Sequence, residues 1–199
     1  MSENSSPAKP KRSSAMLWAV LAVCIAPIAA SYFYYYVVKP GPATNYGALL
    51  DPRQYPMPNL NARSLDGQPR ELASLNGKWR MLMVAPAACA ESCREKLFQM
   101  RQLRLTQGRE KDRIERVWLI TDEQALDTIL LREYDGTHFI RAERAKIAAW
   151  LPAEASTRIE DHLYFIDPLG NLMMRYPKDA DPHKIKKDLN KLIKISKIG

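Results

Sequence analysis

The sequence predicts an α/β domain, with helices on both faces of a sheet, attached to one N-terminal membrane span. Apolar strand-like runs alternate with helical patterns, and a hairpin and a closing helix follow them. A long uncharged run near the N-terminus indicates the span. The chain of 199 residues can hold one domain of ordinary size with accessory segments.

The uncharged run extends from Met16 to Val38. At about 1.5 Å per residue it reaches roughly 34 Å, enough to cross a hydrocarbon core of about 30 Å. Its tyrosine-rich end, residues 32–36, is typical of an aromatic belt. A cleaved signal peptide is the competing interpretation, because residues 28–31 are mostly small. The apolar run continues beyond them, and this favours an uncleaved anchor.

Basic residues beside the run predict its orientation. Lys9, Lys11 and Arg12 precede it, whereas only Lys39 follows directly. The positive-inside rule therefore places the N-terminus in the cytoplasm and the large C-terminal part outside it. In a bacterium this means the inner (cytoplasmic) membrane and a periplasmic domain. That compartment permits disulfides, which a reducing cytosol does not.

Composition divides the chain into four predicted segments. Residues 1–15 are polar and predict a disordered cytoplasmic tail, and residues 16–38 form the anchor. Residues 39–56 are rich in proline and predict an extended spacer. Residues 57–199 form the folded domain.

Periodicity within the domain predicts the order of its elements. Three strands and three helices alternate, and a hairpin and a final helix follow. The predicted ranges are a strand at 79–85, a helix at 93–107, a strand at 116–121, a helix at 123–133, a weaker strand at 138–142, a helix at 143–151, a hairpin at 162–177 and a helix at 181–198.

Two cysteines, Cys89 and Cys93, follow the first of these strands and open a helix. The positive end of the helix dipole favours thiolates there. Two thiolates suit Cu(I) and also suit reversible disulfide formation. Simple core packing and a permanent structural disulfide are the competing interpretations.

The formal net charge of +8 favours acidic partners or anionic surfaces. No nucleic-acid-binding motif accompanies this charge, and a domain outside the cytoplasm rarely meets nucleic acid. The sequence therefore predicts no nucleic-acid partner.

The stretch "DGQPRELASLNGKWRMLMVAPAACAESC" and the later "HLYFIDPLGN" resemble the Sco/SenC family. Its members are membrane-anchored, thioredoxin-like proteins that assist copper delivery to cytochrome c oxidase. The resemblance implies a thioredoxin-like fold, with a central mixed sheet flanked by helices, over roughly residues 57 to 195. It also implies that partners are a cytochrome c oxidase subunit or its assembly factors.

The family's copper ligands are two cysteines and a histidine, which this resemblance transfers to Cys89, Cys93 and His162. His162 lies about three residues closer to the Asp-Pro turn than the family pattern places its histidine. An odd offset in a strand moves a side chain to the opposite face of the sheet. The competing interpretation of His162 is a strand histidine with ordinary hydrogen bonds.

The resemblance implies assistance in cytochrome c oxidase biogenesis, either by copper delivery or by thiol reduction of the copper site. In the second case Cys89 and Cys93 are the redox-active pair. A general thiol–disulfide oxidoreductase of the envelope is one alternative. A non-catalytic assembly scaffold, which keeps the fold but has no active site, is the other.

Overall fold

The computed structural model describes residues 14–38 and 45–196. Contacts divide the chain into two units, residues 1–44 and 45–199. The predicted tail, apart from residues 14 and 15, and the first part of the predicted spacer, residues 39–44, lie outside the described residues.

The first unit contains one long helix. Helix α1 covers Ser14–Phe33 with Pro27 inside it, and a π-helical turn, Tyr34–Val38, continues it. Of the described residues, Ala15–Val37 form the one helix that is long and apolar enough to cross a membrane. This agrees in length and composition with the predicted anchor.

The second unit is built on a mixed sheet of six strands in the order β1-β6-β5-β2-β3-β4. Strands β2, β3 and β4 are parallel to one another, whereas β1, β6 and β5 join by antiparallel pairs. The predicted α/β class with a central mixed sheet is confirmed. The strands are β1 Ala48–Leu49, β2 Trp79–Ala85, β3 Ile114–Ile120, β4 Thr137–Arg141, β5 Tyr164–Ile166 and β6 Leu172–Arg175.

Helices cover both faces of this sheet, and each face has its own core. Side chains of α2 and α5 share one cluster with Met81 and Met83, while side chains of α4 share the other with Leu82 and Val84. This division follows from the alternation of successive side chains along β2. The helices are α2 Glu91–Leu105, α3 Thr128–Glu133, α4 Arg144–Trp150 and α5 Pro182–Ile195.

Helix α3 is shorter than the sequence predicted. The pattern indicated a helix from residue 123, but α3 begins at Thr128. The Asp127 carboxylate accepts a hydrogen bond of 2.8 Å from the backbone N–H of Ile129 and so caps the helix there. Residues 122–127 therefore remain a loop beside the end of β3.

Part of the predicted spacer belongs to the folded unit. Ala48 and Leu49 pair with β6 and form the edge strand β1. The backbone N–H groups of Tyr46 and Gly47 donate to the buried carboxylate of Asp188 at 2.9 and 3.0 Å. The folded unit therefore begins at residue 45, not at 57 as predicted, because these long-range contacts carry no local sequence signal.

Candidate functional site

Cys89 and Cys93 are joined by a disulfide at the junction between β2 and α2. Cys89 lies in a turn, where its N–H donates to the carbonyl of Pro86 at 3.1 Å. Its φ of 38° is in the left-handed region, which is uncommon for a residue other than glycine. Cys93 lies in the first turn of α2, which begins at Glu91. The predicted position of the pair, after a strand and at a helix start, matches the structure.

The loop that carries Cys89 is held from two sides. The Asp122 carboxylate, just beyond β3, accepts the backbone N–H of Ala87, with both oxygens at 3.2 Å. The Arg94 Nε donates to the carbonyl of Cys89 at 3.2 Å. These contacts fix the backbone on both sides of Cys89. Arg94 therefore brings a guanidinium close to Cys89.

Both cysteines are buried, but one of them lines an opening. Cys89 is 1% exposed and Cys93 is 5% exposed. A cavity of about 370 Å³, here named the Cys93 cavity, has Cys93 in its wall. Cys89 is not among the described residues that line this cavity. The side chains that give the cavity its polar character are Ser92, Lys96, Thr121, Arg144, Arg158 and Glu160.

The charges of the Cys93 cavity are mostly positive. Arg144 forms an ion pair of 2.8 Å with Glu160, and Arg158 lies 3.6 Å from Asp161. Burial lowers the pKa of Lys96 below its usual value. The Oε2 atom of Glu160 is buried and makes no hydrogen bond to any described residue. Three cations and one carboxylate thus surround the opening to Cys93.

The His162 side chain lies on the face of the sheet opposite to Cys89 and Cys93. Its backbone is extended, with φ −109° and ψ 156°, so side chains alternate from it into β5. Leu163 belongs to the core cluster that contains the cysteines, whereas Tyr164 belongs to the opposite cluster. The His162 ring lies against the Tyr164 ring, with 6.1 Å between their centroids. The structure therefore joins Cys89 to Cys93 but does not bring His162 to them.

Both ring nitrogens of His162 are engaged. The backbone N–H of Glu154 donates to Nε2 at 3.3 Å, and the Thr157 hydroxyl lies 2.7 Å from the same atom. Nδ1 lies 2.9 Å from the carbonyl of Tyr176, which can only accept. These partners define a neutral imidazole protonated at Nδ1. Burial lowers the pKa of His162 below the usual value of 6.5.

This environment predicts a loss of stability in mild acid. The unfolded chain binds a proton near pH 6.5, whereas the folded chain binds it only at lower pH, so stability falls as pH drops below 6.5. We expect His162→Gln to remove part of this dependence. Thermal unfolding of the full chain in detergent between pH 5 and pH 8 measures it. The exposed His183 supplies the control, His183→Gln, and an unchanged slope for His162→Gln would contradict the prediction.

Several residues of the site had no signal in the sequence. Arg144, Arg158 and Glu160 lie more than 50 positions from Cys93, and tertiary packing alone brings them to the cavity. Asp122 lies two positions after the end of β3 and more than 30 positions from Cys89 along the chain. Its contact with the cysteine loop depends on the parallel pairing of β2 and β3, which places their carboxyl ends side by side.

The fold and the site together define a thioredoxin-like domain with a disulfide at its first strand-to-helix junction. The chain belongs to the family described as transmembrane-like, thioredoxin-like, C-terminal domain, whose model matches residues 79–196. The comparison with curated proteins gave no match.

Solved structures of Sco proteins share this fold. Copper-bound yeast Sco1 has a TM-score of 0.54 at 13% identity, over 76% of this chain and 90% of its own. A SCO1/SenC family lipoprotein from Bacillus anthracis has a TM-score of 0.52 at 17% identity, over 73% and 99%. BsSco has a TM-score of 0.52 at 15% identity, over 71% and 95%. The predicted resemblance to Sco/SenC proteins is thus confirmed for the fold, in a divergent chain.

Proposed function

We propose that this protein is a membrane-anchored thiol–disulfide exchange protein that assists cytochrome c oxidase biogenesis. The observation that carries the proposal is the Cys89–Cys93 disulfide at the start of α2. A helix N-terminus stabilises the thiolates that exchange requires. The link to the oxidase comes from BsSco, which is described as having a disulfide switch and as a member of the Sco family of cytochrome c oxidase assembly proteins.

The proposed reaction transfers two electrons. The reduced Cys89 and Cys93 convert a disulfide of the target into two thiols, and they become a disulfide themselves. The target is a cytochrome c oxidase subunit or an assembly factor that carries paired cysteines. A dithiol protein in the same compartment then reduces the Cys89–Cys93 disulfide and is oxidised in turn. Each step moves two electrons from a dithiol to a disulfide.

The copper ligand set predicted from the resemblance does not fit these residues as they are arranged. Within the described residues, no group of three or more His, Cys, Asp or Glu side chains is placed to hold a metal ion. The Sγ atoms of Cys89 and Cys93 are bonded to each other, and both ring nitrogens of His162 have protein partners. Yeast Sco1 holds copper on a similar fold, but the present geometry supports exchange better than copper delivery.

A redox titration of the full chain in detergent tests the exchange reaction. The purified protein is equilibrated in buffers of reduced and oxidised glutathione, and free thiols are counted after acid quenching. We expect a reversible two-electron transition that is absent from a Cys89→Ser/Cys93→Ser variant. The exchange function would be refuted if the Cys89–Cys93 disulfide stayed oxidised in every buffer, or if it did not form again after reduction. Either result would favour the scaffold alternative.

Oxidase assembly in cells tests the biological role. We expect the Cys89→Ser/Cys93→Ser variant, expressed in place of the wild-type chain, to lose cytochrome c oxidase activity. The control is Cys24→Ser, which removes the free cysteine in α1 and should keep that activity. Full oxidase activity in the double variant, despite a reversible pair in vitro, would favour the general envelope oxidoreductase.

Copper binding is tested on the reduced protein with a competing Cu(I) chelator. Because the His162 ring is held on the other face of the sheet, we expect His162→Gln to bind Cu(I) as the wild-type chain does. A loss of at least tenfold in Cu(I) affinity in this variant would restore His162 as a ligand and favour copper delivery.

The proposed location is the inner membrane, with one span, a cytoplasmic N-terminus and a periplasmic domain. The apolar helix at Ala15–Val37 and the basic residues before it support this arrangement. We expect a reporter that is active only in the periplasm to be active when fused after residue 199. An inactive fusion, together with an active cytoplasmic reporter at the same position, would reverse the proposed orientation.

A further inference from the structure

We propose that helix α5 docks on the membrane surface, where its lysine side chains contact anionic phospholipid headgroups. The surface concerned, here named the lysine stripe, consists of Lys184, Lys187, Lys191 and Lys194. The inference rests on the proposed membrane anchor and is independent of the exchange reaction. It gives a ligand class to a surface that has no part in the cysteine chemistry.

The spacing of residues along α5 produces the lysine stripe. Its members are separated by three, four and three positions, so they lie on one side of a helix with 3.6 residues per turn. The other side contains Ile185, Leu189 and Ile193, which are buried in the core. The helix is therefore amphipathic, and its basic side is turned away from the sheet.

The lysine stripe carries positive charge without an exposed carboxylate on the same helix. Asp188 is the one acidic residue between Pro182 and Ile195. It is 2% exposed, and its carboxylate accepts the backbone N–H groups of Tyr46 and Gly47. A helix with lysines on its polar side is attracted to anionic bilayers, and each lysine near such a surface favours the bound state about fivefold.

An exposed apolar side chain lies beside the stripe at the end of α5. Ile195 follows Lys191 by four positions, so the two side chains are neighbours on the helix surface. Ile195 is 81% exposed, a larger fraction than any other large apolar side chain described in residues 45–196. Contact with the lipid interface would remove this apolar surface from water and add to the attraction between charges.

The chain enters the folded unit on α5 itself. The backbone N–H of Asp181, which caps the helix, donates to the Tyr46 hydroxyl at 3.2 Å. The Lys184 Nζ lies 5.1 Å from the centre of the Tyr46 ring, and the Tyr46 N–H donates to Asp188 at 2.9 Å. The segment that leads from the predicted anchor is thus fastened to the helix that carries the lysine stripe.

The length of the linker favours a lipid surface over a soluble acidic partner. Only residues 39–44 lie between Val38, the last residue of the predicted anchor, and Asn45, the first of the folded unit. A linker of this length reaches at most about 20 Å when fully extended. So short a linker gives α5 a high effective concentration at the membrane surface, which a separate protein partner does not have.

Lipid-dependent docking is measured with the full chain in nanodiscs. An NBD fluorophore is attached at His183→Cys, which is exposed beside the stripe, in a Cys24→Ser chain whose Cys89–Cys93 disulfide stays oxidised. The nanodiscs contain phosphatidylcholine, alone or with an equal amount of phosphatidylglycerol, and a trace of lipid with a spin-labelled headgroup. We expect headgroup quenching of the label to at least double with phosphatidylglycerol and to fall back in high salt.

A label on the other side of the domain controls for general proximity to the lipid. Ala148 is exposed on α4, which packs on the opposite face of the sheet from α5. Quenching at Ala148→Cys should not rise with phosphatidylglycerol. Equal quenching at His183→Cys in the two lipid compositions would overturn the proposal and leave the stripe to an acidic protein partner. A chain that does not enter nanodiscs would remove the anchor on which the proposal rests.

Charge reversal tests the lysines themselves. We expect Lys187→Glu/Lys194→Glu to lower the ratio of docked to undocked chains at least tenfold. The control Arg53→Glu/Arg132→Glu changes two exposed cations by the same charge and should keep docking. An equal loss in both variants would reduce the effect to net charge and overturn the role of the stripe. The comparison of lipids and salt uses no substitution in the stripe, so it decides the proposal even if the lysine variant unfolds.

The outcome is separable from that of the exchange function. If α5 docks on anionic lipid but the cysteine pair does not exchange with glutathione, the exchange function fails and this inference stands. If the pair exchanges and quenching at His183→Cys does not depend on the lipid, only this inference fails.

Discussion

Replacing Arg80 by Met is expected to destabilise the domain by about 3 kcal/mol or more, because its buried guanidinium joins three parts of the chain. The side chain is fully buried on β2. It donates to the carbonyl of Leu72 at 2.7 Å, to Oδ1 of Asn76 at 3.0 Å and to the carbonyl of Asp167 at 3.1 Å. Burial lowers the pKa of Arg80 to about 10, so the group is still charged at neutral pH. Its removal leaves buried acceptors without donors.

Equilibrium urea unfolding of the full chain in detergent, followed by the fluorescence of the buried Trp79 and Trp118, measures this effect. The exposed Arg53 offers a matched control, and Arg53→Met should change the free energy of unfolding by less than about 0.5 kcal/mol. Equal stability of the two variants would mean that the contacts of Arg80 add nothing to the folded state.

Replacing Asp188 by Ala is expected to release the segment from residue 45 to 49 and to cost about 2–3 kcal/mol. Asp188 is 2% exposed, and one of its oxygens accepts the N–H groups of both Tyr46 and Gly47. A Cβ at Gly47 would lie 2.5 Å from Sδ of Met174, so the backbone approaches β6 closely at this point. Without the carboxylate, two N–H groups lose their acceptor beside the core.

Amide hydrogen exchange distinguishes local release from global loss of stability. In Asp188→Ala we expect amides at residues 46–50 to exchange much faster, and those in the middle of β3 to change only with the global stability. Asp112→Ala, at a carboxylate whose side chain is 73% exposed, is the control. Unchanged protection at residues 46–50 would show that Asp188 does not hold the edge strand.

The arrangement of His162 argues against a copper site at the cysteine pair. Copper-bound yeast Sco1 shares the fold of this chain. The imidazole, however, is directed to the face with Tyr164 and is held by Glu154, Thr157 and Tyr176. Thiol chemistry at Cys89 and Cys93 requires no third ligand, which agrees with the exchange function proposed above.

Local patterns allowed much of the fold to be predicted. The apolar run at residues 79–85 is β2 with the same boundaries, and the signal around Asp167–Gly170 is the turn between β5 and β6. The closing helix was expected from Asp181, and α5 begins at Pro182 because Asp181 caps it. These features depend on alternation, helical spacing and turn or cap residues, which act over a few neighbouring positions.

The sequence by itself determined the apolar helix near the N-terminus, the alternation of strands and helices, and the place of Cys89 and Cys93 between β2 and α2. Only the tertiary structure decided that Ala48 and Leu49 join the sheet, and that His162 points away from the cysteines. It also decided that Cys93, and not Cys89, lines a cavity with Arg144 and Glu160. The physical reason is that these outcomes depend on strand pairing, on strand parity and on contacts between residues far apart in the chain. A single sequence encodes such contacts jointly over many positions, so no local pattern shows them.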